Sequence, residues 1–245
     1  MFREVKKKMV ILRNRMPFPD KAKCYFSDTE MQDWIYTNMK LEGSGLSKDH
    51  VAALLTGEVI RGTAIGEHVM AQRLKELLDK MYEYASMNWP LDVHVIEDFH
   101  RIIIGEKAPA PIEYRRRNLI VQEYDSIPCV PGQIPHAMQQ LQLFILRKKD
   151  VEATSEEIFD VAVKIHNSII EIFPYGETDK ILARAVMDYY LMLQGYPAGI
   201  LQTSEEDYNQ MVLKALKTGD VKELKGEIMS GILASLGFMI QLTDY

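Results

Sequence analysis

The chain has 245 residues, of which 47% are hydrophobic, and it carries a formal net charge of −6 at pH 7. That length and apolar content can form one large domain or two small ones with a substantial core. The negative charge argues against a nucleic-acid-binding surface, and no apolar run approaches the roughly eighteen residues of a membrane-spanning helix.

The first 23 residues are basic and contain one short apolar stretch, residues 9–12. This stretch is too short for the apolar region of a secretory signal peptide, so we expect a cytoplasmic protein. Two interpretations of the basic segment stand: a solvated tail, which we favour, and an arm that contacts an acidic partner. Cys24 and Cys129 lie in unrelated segments without metal-ligand spacing, which favours reduced thiols over a disulfide.

Helix signals begin at Ser27 and Glu30, which have capping-box spacing before an apolar-periodic stretch that ends near residues 42–43. A second helix is predicted after Ser47 and stops at Gly57, and a long helix covers residues 64–86. The inward stripe of this long helix contains Val69, Leu74, Leu77, Leu78, Met81 and Tyr82. Further helices are predicted near residues 92–104, 133–148, 155–172, 180–194, 205–217 and 220–240.

The strongest β signal is the run Asn118, Leu119, Ile120, Val121 and Gln122, which precedes a segment with Pro and Gly residues. No repeat, low-complexity tract or linker interrupts the chain. The sequence therefore predicts a mainly α-helical bundle over residues 46–245, with an N-terminal helical extension over residues 1–45.

Residues 173–184 read Phe-Pro-Tyr-Gly-Glu-Thr-Asp-Lys-Ile-Leu-Ala-Arg. They resemble the signature of the Fic family, His-Pro-Phe-x-(Asp/Glu)-Gly-Asn-(Gly/Lys)-Arg-x-x-Arg, whose members transfer AMP or related groups to protein hydroxyls. The flanking blocks at residues 99–103, 114–115, 134–141, 162–172 and 187–197 are also similar to family blocks, in the same order. The resemblance covers about residues 30–240 and implies the Fic helical bundle. It also implies that residues 118–121 form a β-hairpin flap that holds a target protein by strand addition.

Phe173 stands where the family has its catalytic His. A phenyl ring has no lone pair to accept a proton from an attacking hydroxyl, and a general base typically contributes on the order of 10²–10⁴ in rate. We therefore assign no catalytic residue to the motif. Pro174 and Tyr175 keep the backbone restraint and the aromatic plug, which indicates that the loop shape is preserved.

The resemblance implies that the loop and the next helix bind nucleotide phosphates through backbone N–H groups. Thr178 and Asp179 replace the Gly and Asn of this cradle, and Ile181 replaces an Arg that grips the phosphates. A β-branched Thr makes positive φ costly, and we expect Asp179 to cap the following helix with its own carboxylate. The remnants of the nucleotide site are Pro174, Tyr175, Gly176, Glu177, Thr178, Asp179, Lys180 and Arg184.

Glu177 matches the acidic position that binds a divalent cation in the family. A single carboxylate leaves two interpretations open, a metal ligand and an exposed, solvated side chain. ATP and Mg²⁺ are thus cofactors that only the resemblance implies.

Glu42 and Gly43 resemble the end of an inhibitory Ser/Thr-x-x-x-Glu-Gly element that some family members carry, although Asn38 replaces its Ser or Thr. The resemblance implies that Glu42 pairs with Arg184 across the nucleotide site. We favour an internal ion pair that ties the N-terminal helix to the bundle over a surviving regulatory device.

Other candidate chemistry is weaker. His166 lies two helical turns, about 10 Å, from Phe173, so we expect it to be structural, as we do for His100. Cys129 and His136 could suggest a thiol nucleophile, but the sequence supplies no orienting group.

Two functional hypotheses follow. The first, which we favour, is a degenerate Fic-fold protein that lacks AMP transfer and acts as a binding or regulatory protein through its flap. The second is a transferase of AMP or another phosphate-containing group that uses a remodelled site, with Glu177 or a substrate group as base. In both hypotheses the partner is a protein, neither a nucleic acid nor a membrane.

Overall fold

The computed structural model describes residues 1–106, 113–124, 128–149 and 154–244, with only the backbone described at Tyr25 and Lys149. The α-helices in these ranges are α1 (Phe2–Arg15), α2 (Asp20–Lys40), α3 (Lys48–Leu55), α4 (Ile65–Ser86), α5 (Val93–Ile104), α6 (Ile134–Lys149), α7 (Ser155–Ile172), α8 (Asp179–Leu193), α9 (Glu205–Thr218) and α10 (Lys222–Leu242). Short 3₁₀ helices cover Gln122–Tyr124 and Pro131–Gln133. None of the described helices is both long enough and apolar enough to span a lipid bilayer.

Helices α7 and α8 form the centre of the bundle. α8 is buried from Asp179 to Met192, and α7 is its main neighbour. α4 and α5 cover α8, whereas α6, α9 and α10 lie against α7. The loop of residues 173–178 joins the two central helices, so the core on both sides fixes its position.

Local sequence signals set the ends of these helices. At the start of α7, Thr154 Oγ1 accepts a hydrogen bond from Glu157 N at 3.3 Å, and Glu157 Oε2 accepts one from Thr154 N at 2.8 Å. This capping box satisfies two backbone donors that the first turn leaves open. After α8, Gly195 has a φ of 82°, a conformation that favours Gly, so the Gly-Tyr-Pro sequence ends the helix as predicted.

The predicted helices from Ser47 onward are all present, with bounds within two residues of those expected. On α4, the predicted inward residues Leu74, Leu77, Leu78 and Met81 are fully buried. Val69 is 39% exposed, so its place on the inward stripe is wrong. It lies five residues before Leu74, which puts it about 140° around the helix from that side chain.

The predicted helix start at Ser27 is also wrong. α2 begins at Asp20, directly after Pro19, and Ser27 lies inside it. The spacing of Ser27 and Glu30 matches a capping box, but no Gly or Pro occurs between residues 20 and 27 to stop the helix. The helix therefore extends past the local signal.

The basic N-terminal segment is not a solvated tail. It forms α1, which lies along α10 with Val5 and Leu12 buried. Phe2, Val5, Met9 and Leu12 recur at helical spacing and give α1 one apolar face. The division between residues 1–45 and residues 46–245 stays a prediction.

The predicted β-hairpin flap over Asn118, Leu119, Ile120 and Val121 is wrong. The described residues contain no strand, and this segment runs irregularly into the 3₁₀ helix Gln122–Tyr124. The backbone on either side bonds to the end of α7 and the following loop: Arg115 N donates to Pro174 O at 2.9 Å, and Cys129 N donates to Glu171 O at 3.0 Å. Val121 forms only an isolated β-bridge and no strand extends along the segment, so the described residues form no hairpin here.

Two buried carboxyl groups join α2 and α8 to their surroundings. Glu30 accepts hydrogen bonds from Ala198 N at 3.1 Å and from the Tyr82 hydroxyl. Asp188 accepts one from Trp34 Nε1 at 2.7 Å. Burial raises the pKa of Glu30 and of Asp188 to about 7.

Gly231 marks a close approach between α10 and the loop after α8. A Cβ at this position would lie 2.6 Å from Ile200 O, so Gly231→Ala should destabilise the protein by about 1–3 kcal/mol. The matched control is Gly226→Ala on the same helix, where a Cβ meets nothing within 4 Å. This control should be neutral or stabilising by about 0.5–1 kcal/mol. Equal unfolding midpoints of the two variants in denaturant would contradict the close approach.

Candidate functional site

The site centres on the loop between α7 and α8. Phe173 has a φ of 50° and a ψ of 62°, the left-handed conformation, and its N–H donates to Ile169 O at 2.7 Å. Such a conformation is uncommon for a bulky side chain and persists only where the surroundings enforce it. The Phe173 ring is buried, so the residue at the family's base position fills space within the fold.

Arg115 holds this loop in place. Its Nε donates to Phe173 O at 2.6 Å, its Nη2 donates to Ile172 O at 3.3 Å and to the Cys129 carbonyl, and its backbone N–H donates to Pro174 O. One side chain thus satisfies the carbonyl groups that the end of α7 leaves open. Sequence reasoning noted the Tyr114-Arg115 block but assigned Arg115 no role.

Tyr175 and His100 stack under the loop. Their ring centroids are 3.8 Å apart with an interplanar angle of 10°, and Thr178 Oγ1 lies 3.3 Å from His100 Nδ1. Burial, and then the nearby Arg101, lower the pKa of His100 to about 4. A neutral His100 therefore supports the loop, in agreement with its predicted structural role.

Asp179 does not cap α8 in the predicted way. It is the first residue of α8, and its Oδ2 accepts hydrogen bonds from Tyr175 N and Gly176 N, both at 2.8 Å. These donors belong to the loop before the helix, because the tight turn at Gly176 points its N–H groups back toward the carboxylate. Burial raises the pKa of Asp179 to about 7, although these two hydrogen bonds oppose the rise.

The predicted ion pair between Glu42 and Arg184 is present. Arg184 Nη2 lies 2.6 Å from Glu42 Oε1, and Arg184 Nε donates to Asn38 Oδ1 at 2.7 Å. The guanidinium is 2% exposed and also lies 5.3 Å from the Tyr208 ring centroid. Gly43 has a φ of 82°, which ends α2 in a turn and places Glu42 against the centre of the bundle.

Lys180 extends this charged group toward the segment of residues 118–123. Its Nζ lies 3.6 Å from Glu42 Oε2 and 3.2 Å from Glu123 Oε1. The side chain is only 11% exposed, so both carboxylates pair with a largely buried ammonium group. A phosphate would have to displace one of them to reach Lys180.

A cavity of about 610 Å³ lies between these residues and the 118–123 segment. Its lining consists of Glu42, Leu119, Ile120, Val121, Gln122, Glu123, Phe173, Glu177 and Lys180. The structure thus brings the predicted inhibitory-like Glu, the motif and the predicted flap residues together around one space. Three carboxylates and one ammonium group make this lining net negative.

The residues present do not fit an ATP–Mg²⁺ complex. Asp179 occupies the loop N–H groups that would hold phosphate, and Ile181 is 2% exposed and apolar where the family signature has Arg. Glu177 is exposed, and the part of the chain that the structure describes has no group of three His, Cys, Asp or Glu side chains placed to hold a metal ion. The lining would also repel a triphosphate.

The other residues considered as candidates for catalysis do not line this cavity. His166 is buried, with Nδ1 at 2.9 Å from Asn167 Oδ1 and Nε2 at 2.6 Å from the Tyr208 hydroxyl. Burial lowers the pKa of His166 to about 4, so the predicted structural role fits. Cys129 Sγ has Val130 O at 3.6 Å as its hydrogen-bond partner, and nothing in the described contacts joins it to His136.

Residues 90–191 match the Fic/DOC family. The chain therefore contains a Fic domain. This match covers α5 to α8 and so includes the loop, Arg115 and the cavity-lining segment.

Two solved structures share the fold. A Fic domain containing signaling protein from Bacteroides thetaiotaomicron superposes with a TM-score of 0.82 at 18% identity, covering 98% of this chain and 97% of that one. A fragment of Fic-1 from C. elegans gives a TM-score of 0.76 at 17% identity, covering 98% and 71% of the two chains. At these identities the similarity concerns the fold alone.

Among curated proteins, the Protein adenylyltransferase Fic of Drosophila melanogaster is 25% identical over 192 residues. The aligned region is 77% of this chain but only 38% of the Drosophila protein. The aligned region is thus similar in sequence to a protein adenylyltransferase, and it spans well under half of that relative.

A double-mutant cycle tests the Glu42–Arg184 pair. Glu42→Leu should destabilise the protein by about 3–5 kcal/mol, because it leaves a buried guanidinium without its counter-charge. The double variant Glu42→Leu/Arg184→Leu should cost much less than the sum of the two single changes. Denaturant unfolding of all four proteins measures the coupling, and additive losses would show that the pair is energetically unimportant.

Asp179 should impose a pH dependence on stability. Its folded-state pKa of about 7 exceeds the usual value of 3.8, so between these values the folded state holds a proton that the unfolded state releases. The contribution of Asp179 to the free energy of unfolding therefore falls as pH rises from about 4 to about 7. Relative to the wild type, Asp179→Asn should gain stability across this window, on the order of 2–4 kcal/mol by pH 8.

Chemical denaturation at several pH values measures this gain. Glu177→Gln is the matched control, because it removes a carboxylate from the exposed side of the same loop. A stability difference between wild type and Asp179→Asn that does not change with pH would contradict the assignment.

Proposed function

We propose that this Fic-domain protein is a degenerate relative of protein AMPylases, which does not transfer AMP and acts as a binding or regulatory protein. The observation that carries the proposal is the buried Phe173 in the left-handed position that begins the motif loop. The loop keeps its conformation, whereas the side chain at the base position cannot take a proton.

The phosphate cradle supports the same proposal. The Asp179 carboxyl group accepts the N–H groups of Tyr175 and Gly176, so the protein's own side chain occupies the donors that a phosphate would need. Lys180 is held by Glu42 and Glu123, and Arg184 is held by Glu42 and Asn38. Both cationic side chains within the motif, Lys180 and Arg184, are therefore already paired.

The segment of residues 118–121 is the surface that we propose for a partner protein. Ile120 is 72% exposed, and Leu119 lies beside it on the rim of the cavity. These two aliphatic side chains suit the core of an interface, which is more apolar than its rim. The partner itself stays unidentified.

The second candidate function is transfer of a phosphate-containing group through a remodelled site. The observation that favours it is that Glu177 lines the same cavity as Phe173 and has an exposed carboxylate. A carboxylate at the cavity could take a proton from an attacking hydroxyl.

Incubation with labelled donors separates the two functions. The full chain is mixed with cell lysate and with ATP, GTP, UTP or CDP-choline labelled on the group to be transferred. We expect no labelled protein with the wild type. We also expect little label with Phe173→His, because Thr178, Asp179 and Ile181 still oppose a triphosphate.

The comparison variant restores the signature at every position except Tyr175, with Phe173→His, Thr178→Gly, Asp179→Asn and Ile181→Arg together. It should exceed Phe173→His in labelling from ATP and in ATP affinity measured by calorimetry. Glu42→Gly in the wild-type background should lose stability without gaining transfer. Robust labelling by the wild type that Glu177→Gln abolishes would overturn the proposal in favour of the second function.

A further inference from the structure

A second cavity, distant from the motif, lies at the opposite end of α8. It has a volume of about 480 Å³ and is enclosed by the end of α1, the start of α2, α4, the end of α8 and α10. Its apolar lining is formed by Met9, Leu12, Met16, Phe18, Phe26, Ala85, Met192, Pro197, Leu236 and Met239. α8 has 15 residues, so about 20 Å separates this cavity from the motif loop.

The hydroxyl groups of Tyr82, inside the cavity, and of Ser86, at its rim, already have hydrogen-bond partners. The Tyr82 hydroxyl donates to Glu30, and Ser86 Oγ donates to Glu83 O at 2.7 Å. The lining therefore offers contact area and little hydrogen bonding, which suits an aliphatic ligand. The four Met side chains can adapt to such a ligand, because Met is unbranched and flexible.

The single charged residue in the lining is Arg13. It is exposed, and the described residues show no hydrogen bond or ion pair for its side chain. Met16, 62% exposed, lies beside it at the mouth of the cavity. An apolar interior with one free guanidinium at the rim matches a molecule with a long apolar tail and an anionic head.

The charge of α1 favours the same ligand. Its sequence contains six basic residues and one acidic residue, in a chain whose net charge is −6. The mouth of the cavity thus lies on the one strongly basic helix of the N-terminal region, and nearby charges act over roughly 8 Å at physiological salt.

We infer that this cavity binds the tail of a single-chain amphiphile with an anionic head group, such as a fatty acid carboxylate, and that Arg13 pairs with the head. The volume is within the range of small-molecule sites and accommodates one chain. Burial of the chain fills space that the protein's own side chains leave open, and so gains contacts that the empty cavity lacks. The inference does not depend on the motif site or on its proposed function.

Titration calorimetry with three probes of equal chain length tests the head group. Dodecanoate and dodecyltrimethylammonium are each added to the full chain below their micelle concentrations, and dodecanol is added below its solubility limit. Dodecanoate should bind saturably at one site, with a Kd at least about tenfold lower than that of the cationic probe. Equal affinity for the anionic and cationic probes, or no saturable binding of dodecanoate, would overturn the inference.

Substitutions at the rim test the location. Ser86 is exposed, so Ser86→Trp fills the cavity from its rim and should weaken dodecanoate binding by about tenfold or more. Ser86→Ala, which removes the hydroxyl without filling the cavity, is its control. Arg13→Gln should remove most of the preference for dodecanoate over dodecanol, whereas Lys7→Gln, an equal charge loss elsewhere on α1, should change it less than about twofold.

Thermal unfolding of each variant shows whether it folds. If Ser86→Trp does not fold, the comparison of Arg13→Gln with Lys7→Gln decides the result. Unchanged binding in a folded Ser86→Trp, or equal effects of Arg13→Gln and Lys7→Gln, would place the ligand elsewhere. Sedimentation with phosphatidylglycerol vesicles distinguishes a lipid surface from a free fatty acid. Vesicle binding that is insensitive to Ser86→Trp, without binding of free dodecanoate, would assign α1 to the membrane surface and overturn the cavity assignment.

Discussion

The buried guanidinium of Arg184 joins three parts of the molecule that would otherwise be separate. It projects from the central helix α8, bonds to Glu42 and Asn38 at the end of α2, and lies against the ring of Tyr208 on α9. A charge that is removed from water must be paired, so Arg184 fixes the end of α2, whereas Glu30 and Trp34 hold the middle of that helix. Glu42 in turn contacts Lys180, and through it Glu123 and the segment over the motif loop.

The loop between α7 and α8 has a defined conformation, although Phe173 stands where the Fic signature has His. Arg115 binds the carbonyl groups of Ile172 and Phe173 at the end of α7, and the loop begins with a left-handed residue. Neither feature needs a proton-accepting side chain, because both depend on the backbone. Where the chain differs from the Fic signature, two of its side chains contact the protein itself: Asp179 takes the loop N–H groups, and Ile181 enters the core. A binding function can rest on such a scaffold, because it requires the shape of the site without its reactivity.

The sequence predicted the features that depend on local pattern. The helices from α3 to α10 follow from apolar periodicity, and the pairing of Glu42 with Arg184 follows from their motif positions. The sequence did not predict α1. Its short apolar run is buried only because α10 packs against it, and the sequence of α1 alone does not reveal that contact. Strand-like composition at residues 118–122 failed for the converse reason: β propensity needs a partner strand, and the neighbouring backbone groups are bonded to the end of α7 instead. The partners of Asp179, and the cavity at the far end of α8, depend on how distant segments meet and leave no local signal.

The raised pKa values of Glu30, Asp179 and Asp188 also affect how the protein exchanges protons with its solvent. Each carboxyl group is ionised in the unfolded chain at pH 6 and largely neutral in the folded one, so folding takes up protons from the buffer. The heat of unfolding then includes the ionisation heat of whichever buffer receives those protons. Calorimetric enthalpies measured near pH 6 will differ between phosphate and imidazole solutions, although the protein and its contacts are the same.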